Sequence, residues 1–354
     1  MKHISPKDIF KVAPPGRSVC LSIYLNHPDE LKSLIYDAKK VASADLDEAT
    51  IDQLIKPVMY LLKNKKWNTK AEPTGIFITK GFAGYIKIPF EVKSVSVVSS
   101  SFHVKPILKW LQKEKPFFLL EFKAKEALLF CGGLTDLKLS ESIQYASART
   151  ADQIIDQLGL TVMKKVTSMQ QPLILSGDPE KIRVFKSIFS YKFLLQESIE
   201  LSTKEESLEN LRLKCLEMLE PYVNTSEALM IKKYWNAKKL SQTTCNLKQI
   251  VELAIQGQVK HLYVNEKMHL WGLINYKTAE FTYNYKQQDA YDDDILDDLA
   301  EIVLYHKGTV TVLASEKMPE SHAAAAIIRP RNYKRKHKKY KNVIPLSLEN
   351  HLAL

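Results

Sequence analysis

The chain has 354 residues, 45% apolar and 26% charged with only 11 glycines, which is enough for two or three domains with real cores and excludes disordered and collagen-like chains. Its net charge is +11, but eight of the cations fall in Arg329–Asn342 (RPRNYKRKHKKYKN), which holds no acid, so the rest of the chain is only mildly basic. No apolar run approaches the roughly 20 residues needed to cross a bilayer, and the opening MKHISPKDIFKVAPPGRS lacks the apolar core of a signal peptide, so a cytoplasmic location is expected.

Ser18–Leu25 alternates apolar and polar residues and reads as a strand. Leu31–Val41 and Ile51–Leu62 place apolar residues at three- and four-residue steps and read as helices, with Pro57 a potential kink in the second. Thr74–Thr79, Gly84–Ile88 and Lys93–Ser99 follow as strands. The first domain is thus read as β-αα-βββ, over residues 1–115. Val104, Ile107, Leu108 and Leu111 repeat at helical spacing, Pro106 suits the first turn, and Pro116 stops the helix at a domain boundary.

Phe117–Phe122 and Ala127–Cys131 are short apolar runs either side of the polar Lys123–Glu126, the pattern of a β-hairpin opening a new core. Leu134–Ser140 is a third strand or an irregular run, and a helix is expected from Tyr145 to about Gln157. Pro172–Ser176 reads as a buried strand, and Asp178 then caps a helix with Pro179 in its first turn. Glu205–Glu220 carries Leu208, Leu211, Cys215, Met218 and Leu219 on one stripe. This second domain covers 116–221 and ends in an expected hinge at Glu220–Thr225.

The third domain, 222–330, opens with a helix over Ser226–Lys239. Asn246–Gln256 is a helix ended by Gly257, Val259–Val264 a strand, Asp292–Tyr305 a helix, and Thr309–Leu313 and Ala324–Ile328 strands. Helix and strand alternate as in a compact α/β/α layer domain. A basic tail, 331–354, follows.

The four cysteines are widely spaced with no Cys-x-x-Cys pair; reduced core thiols are expected, and no zinc site of the usual spacing. No dinucleotide loop, phosphate loop, His-Glu-x-x-His or Gly-x-Ser-x-Gly motif is present, and no cofactor or metal is expected. The acids of Asp292–Asp298 read as first-turn residues that suit a helix dipole, and His103 as a hydrogen-bonding residue of the link. Lys232, Lys233, Lys238 and Lys239 around Tyr234 and Trp235 make a basic helical face, either simply solvated or facing RNA.

Four local patterns, in this order, resemble the archaeo-eukaryotic peptide-chain release factor superfamily, which includes the eukaryotic release factor and Pelota. They are Ser101–Leu108 with the Phe117–Phe130 hairpin, Leu173–Asp178 with the helix after it, Ile250–Val264, and Asp294–Val312 with Ala323–Arg329. The resemblance covers about Ser18–Arg329 and is strongest to the bacterial and archaeal release-factor-like branch. It implies three α/β (α+β) domains: the β-αα-βββ domain, a ribonuclease-H-like central domain, and an α/β/α domain like the kink-turn-binding proteins.

The family's Gly-Gly-Gln loop, which assists peptidyl-tRNA hydrolysis on the ribosome, has no match here. Its counterpart falls in about Leu134–Thr150, where Gln144 is the candidate catalytic residue, flanked by Ile143 and Tyr145 instead of glycines. Such a loop needs glycine to approach the ester closely and adopt unusual φ values. Gly132–Gly133 precedes Leu134 and reads as a strand-end turn. The counterpart of the family's basic codon-reading loop, Ala42–Thr50, holds Asp45, Asp47 and Glu48 and no cation, which opposes contact with messenger phosphates.

The tail is the strongest binding signal. Arg329, Arg331, Lys334, Arg335, Lys336, Lys338, Lys339 and Lys341 interleave with Tyr333 and Tyr340, pairing phosphate-neutralising cations with rings that stack on unpaired bases. The expected function is a ribosome- or tRNA-associated release-factor-like protein in translation termination or ribosome rescue, contacting ribosome, ribosomal RNA or tRNA. The alternative is a non-catalytic RNA- or protein-binding module of the same fold. The sequence leaves open whether the protein is an enzyme; if it is, the reaction is peptidyl-tRNA hydrolysis.

Overall fold

The computed structural model describes residues 1–10, 19–64, 71–114, 116–144, 151–200 and 206–330. The chain forms two compact units, Met1–Gln112 together with Leu229–Leu354, and Lys113–Ala228. None of the helices among the described residues is long and apolar enough to cross a membrane.

The N-terminal part of the first unit comprises β1 (Lys2–His3), α1 (Pro6–Ile9), β2 (Cys20–Leu25), α2 (Leu31–Ala42), α3 (Glu48–Lys63), β3 (Thr74–Thr79), β4 (Phe82–Lys87), β5 (Val95–Ser99) and α4 (Lys105–Lys113). The sheet order is β1-β4-β3-β2-β5, antiparallel except for the parallel β1–β4 pair. The apolar stripes of α2 (Leu31, Leu34, Ile35) and α3 (Leu54, Ile55, Val58) pack against Leu21, Ile23, Leu25, Ile76 and Ile78 of the sheet. The turn before α3 is fixed by Asp47, whose carboxylate accepts from the Thr50 amide at 2.7 Å, an ordinary N-cap.

The second unit is built on β6 (Phe117–Phe122), β7 (Glu126–Gly132), β8 (Leu137–Gln144), α5 (Ala151–Met169), β9 (Leu173–Gly177), α6 (Pro179–Ile188), β10 (Leu194–Glu200) and the first part of α7 (Leu208–Lys239). Its sheet runs β10-β9-β6-β7-β8, with β6, β9 and β10 parallel and β6-β7-β8 antiparallel. All six residues of β6 are buried because both faces are covered. Phe118, Leu120 and Phe122 meet α5 and α6 through Leu158, Val162, Ile182 and Phe185. Phe117, Leu119 and Phe130 meet α7 through Leu211, Cys215 and Leu219.

The C-terminal part of the first unit adds β11 (Thr243–Thr244), α8 (Leu247–Ile255), β12 (Val259–Asn265), β13 (Trp271–Ile274), β14 (Phe281–Asn284), β15 (Asp293–Asp294), α9 (Ile295–Tyr305), β16 (Thr309–Leu313) and β17 (Ala324–Ile328). One sheet has the order β11-β17-β12-β16, and a smaller one the order β14-β13-β15. Gly257, at φ +68°, ends α8 in the left-handed conformation that glycine adopts without strain.

The mixed α/β class expected from the sequence holds. Two readings change. The hinge expected at Glu220–Thr225 lies inside α7, which runs from Leu208 to Lys239 with Pro221 in its interior. A proline costs a helix roughly 3 kcal/mol, and the strong helix formers before it and from Glu227 onward carry the helix across it. The segment left open at Leu134–Ser140 is strand β8, shifted to Leu137–Gln144. The expected helix from Tyr145 begins, among the described residues, at Ala151.

Candidate functional site

Gln144 is the last residue of β8, exposed and paired in register with Glu126 of β7. Its side-chain amide donates to Glu126 Oε2 at 2.7 Å and to Ser142 Oγ at 3.1 Å, while Ser142 Oγ donates to the same carboxylate oxygen at 2.6 Å. A glutamine that orients water must present its amide freely; this one is held by a carboxylate, which also repels phosphate. Residues 145–150, the rest of the expected loop, lie outside the described residues.

Gly132 has a local structural explanation. A Cβ there would stand 2.4 Å from Phe117 Cζ and 2.9 Å from Leu137 Cδ1, so the ring of Phe117 demands glycine at the end of β7. Gly133 then donates its amide to the Asp136 carbonyl at 2.9 Å, closing the strand-end turn. In the N-terminal part, Asp45 accepts from the Ala290 amide at 3.1 Å and Asp47 caps α3. Both also line a cleft of about 870 Å³ with Thr50, Lys80 and Tyr291. Carboxylates in that place suit backbone amides and not a phosphodiester.

Of the tail residues, only Arg329 is described. It is buried, donates from Nη2 to the His306 carbonyl at 2.9 Å, and its amide bonds the Gln258 carbonyl at 2.8 Å. Arg331, Tyr333, Lys334, Arg335, Lys336, Lys338, Lys339, Tyr340 and Lys341 lie outside the described residues. On the last turns of α7, Tyr234 is buried and Trp235 is exposed. Lys238 reaches over the Trp235 ring, 5.2 Å from its centroid, and pairs with Glu320 at 2.8 Å. Lys232, Lys233 and Lys239 are exposed on the same stretch.

The densest chemistry was not anticipated from the sequence. Within the first unit, the Ser100–Lys105 link meets α9 and the loop before it through buried charges. Lys105 Nζ lies 2.6 Å from Asp294 Oδ2 and donates to the Met268 carbonyl at 2.5 Å. His103 Nδ1 lies 2.5 Å from Asp297 Oδ2, and His269 Nδ1 lies 2.8 Å from Asp294 Oδ2. Asp293 accepts from Ser100 Oγ at 2.5 Å, the Ser101 amide at 2.9 Å and Ser101 Oγ at 3.0 Å. Asp294 also caps α9 through the Leu296 amide, as its place in the sequence implies. Asp297 Oδ1 is buried with no hydrogen-bond partner among the described residues.

Burial sets the proton affinities, and the neighbours refine them. Burial pushes Asp293 up to about 6 against its three hydrogen bonds. Burial, then the Asp297 and Asp293 carboxylates, push Glu301 up to about 8. Burial also pushes Asp294 up, but Lys105, His269 and His103 outweigh it and hold that carboxyl well below the ordinary range. Burial lowers His269 despite its bond to Asp294.

His103, His269 and Asp294 are close enough to hold a metal ion, as are Cys245, Glu320 and His322. In each group a lysine ammonium already faces the carboxylate, Lys105 at 2.6 Å from Asp294 and Lys238 at 2.8 Å from Glu320. The cation that neutralises each cluster is therefore part of the chain. Little in the sequence marks the first cluster. By helical spacing Asp297, Asp298 and Glu301 share one face of α9, opposite Ile295, Leu296, Leu299 and Val303, which is the pattern of a solvated face, yet both aspartates are buried.

Among the solved structures that the chain resembles are Pelota-type and translation termination factors. A model of ribosome-bound archaeal Pelota and ABCE1 is 12% identical, covering 94% of this chain and 96% of that one at a TM-score of 0.45. Dom34 of S. cerevisiae, a translation termination-like factor involved in RNA quality control, is 12% identical over 93% and 94%, at 0.42. The archaeal translation termination factor aRF1 is 13% identical over 92% and 99%, at 0.28. No curated protein matches the chain. Residues 153–258 match the model of Bacterial archaeo-eukaryotic release factor family 3, and the chain thus bears the resemblance to the bacterial branch of the release factor superfamily that its short motifs imply.

Proposed function

We propose that the protein is a ribosome-associated factor of the release-factor-like kind, acting in translation termination or ribosome rescue in the cytoplasm. The observation that carries this is the match of residues 153–258 to a bacterial release factor family. In this reading domains 1–115, 116–221 and 222–330 work as the superfamily's three parts. The exposed lysines at the end of α7 and the basic tail face ribosomal RNA or tRNA. Sedimentation of the tagged full chain with ribosomes tests it. Comigration at low salt that is lost at high salt is expected, since phosphate contacts release counterions. Absence from the ribosomal fractions at low salt overturns it.

A second reading, binding without hydrolysis, is favoured by one observation: the Gln144 amide is tied to Glu126 and Ser142 on a strand. Purified protein added to ribosomes carrying peptidyl-tRNA is then expected to release no peptide. Peptide release that Gln144→Ala abolishes would sink this reading and make Gln144 the catalytic residue.

A further inference from the structure

Strand β14 is the edge of the small sheet, with β13 its one partner among the described strands. Its sequence, Phe281-Thr-Tyr-Asn, continues into Tyr285 and Lys286. Alternation along a strand puts Phe281 and Tyr283 on one face. Their rings lie nearly parallel, 15° apart with centroids separated by 6.1 Å. The Tyr285 ring stands at 90° to that of Tyr283, 5.8 Å away. Tyr283 is 40% and Tyr285 72% exposed.

The residue opposite Tyr283 is Gly272, which has no side chain to cover the ring. A Cβ at Gly272 would fall 1.9 Å from the Thr282 carbonyl oxygen, so the close approach of the two strands keeps that position bare. Two exposed rings beside the half-buried Phe281 on one edge mark a binding surface. Exposed Lys277 and Lys286 flank the strand in the chain, and the one acid of the hairpin, Glu280, accepts from Thr278 Oγ1 at 3.0 Å.

The chemistry that fits is a set of flat π-faces seeking other flat faces, next to cations. Unpaired bases offer such faces, whereas duplex bases are already stacked on each other. A protein anchor would need a pocket, and these rings stand on an open sheet edge. We propose that Phe281, Tyr283 and Tyr285 form a stacking platform for bases of single-stranded RNA, with Lys277 and Lys286 serving the phosphates. The proposal rests on the ribosome-associated reading only in taking RNA as the nucleic acid.

The test is the anisotropy of a labelled oligouridylate titrated with the full chain. Tyr283→Ala/Tyr285→Ala is expected to weaken binding about tenfold, within the range that loss of aromatic stacking produces. Tyr283→Phe/Tyr285→Phe should retain it, because the ring face and not the hydroxyl does the binding. A short RNA duplex should bind wild type and both variants alike. Tyr285→Ala alone, at a position 72% exposed, supplies the measurement if the double variant unfolds. Oligouridylate affinity within twofold of wild type, or an equal loss on the duplex, overturns the platform. So does unchanged RNA affinity with a Tyr285-dependent cross-link to a ribosomal protein, which would assign the edge to a protein partner. Ribosome sedimentation run in parallel separates the two readings. Sedimentation without ring-dependent RNA binding sinks the platform alone, and ring-dependent binding without sedimentation sinks the function alone.

Discussion

Strand β6 and most of helix α9 are buried, yet they use opposite chemistry. β6 presents Phe117, Phe118, Leu119, Leu120 and Phe122 to apolar neighbours on two faces. Helix α9 carries Asp297 and Asp298 into the interior beside Asp293 and Asp294, with the half-buried Glu301 next to them, and meets them with Lys105, His103 and two serines. An apolar contact asks only for volume and shape, so β6 tolerates many neighbours. A buried charge asks for a particular partner at a particular distance, and it penalises every other arrangement. The charged junction therefore specifies how the Ser100–Lys105 link meets α9, while the central sheet supplies cohesion without such discrimination.

Two substitutions of similar size but different character would break this contrast. Lys105→Met leaves Asp294 buried without its ammonium and should destabilise the first unit by about 3–5 kcal/mol at neutral pH. Phe185→Ala opens a cavity against Phe122 and Phe189 and should cost the second unit about 3–5 kcal/mol. Their pH dependence tells them apart. Asp294 has a lowered folded value, so its stabilising effect is present above the unfolded value near 4 and is lost as pH falls through the folded one. The cost of Lys105→Met should thus shrink in acid, while that of Phe185→Ala stays flat. Denaturant titrations across pH, with hydrogen exchange to assign each loss to its unit, measure both. Equal pH profiles would mean that the Lys105–Asp294 pair contributes nothing as a charge pair.

The carboxyls with raised values predict the opposite slope. Folded Glu301 keeps a proton up to about pH 8 that the unfolded chain releases near 4.5. The folded state therefore binds more protons, and this group's effect on stability worsens as pH rises from about 4.5 to 8. Glu301→Gln mimics the protonated form. Because the side chain is only half-buried, a gain of about 1–2 kcal/mol at pH 8 is expected, falling to nothing near pH 4. Thermal unfolding at the two pH values decides it, and a variant less stable than wild type at pH 8 would show that Glu301 is ionised and well paired.

The same contrast explains what the sequence could and could not tell. The runs that became β3 and β17 were legible to the residue, and the β6–β7 hairpin nearly so, because short apolar runs between turn residues have few other uses. β10, reading LLQESIE, was not legible, since a polar-rich strand is held by its parallel pairing to β9 more than by its own pattern. The β13–β14 hairpin was missed because its strands are four residues each and joined by a longer turn. The junction was hardest of all. Asp294 and Lys105 are each ordinary residues in their local context, and their pairing spans nearly two hundred positions.

The smallest effect tests the most local inference. Asp178 was read as a helix cap from four residues, Ser-Gly-Asp-Pro, and its carboxylate accepts from the Glu180 amide at 2.9 Å and the Lys181 amide at 3.4 Å. The site is exposed, so only the cap itself is at stake. Asp178→Ala should cost about 1 kcal/mol and Asp178→Asn much less, since asparagine keeps an accepting oxygen. Gly177 before it stands at φ +107°, where a Cβ would lie 2.2 Å from the Phe122 carbonyl oxygen, so the turn is already fixed by the backbone. If Asp178→Ala proved neutral in denaturant titration, glycine geometry alone would be setting the start of α6, and the cap would be incidental to this junction of strand and helix.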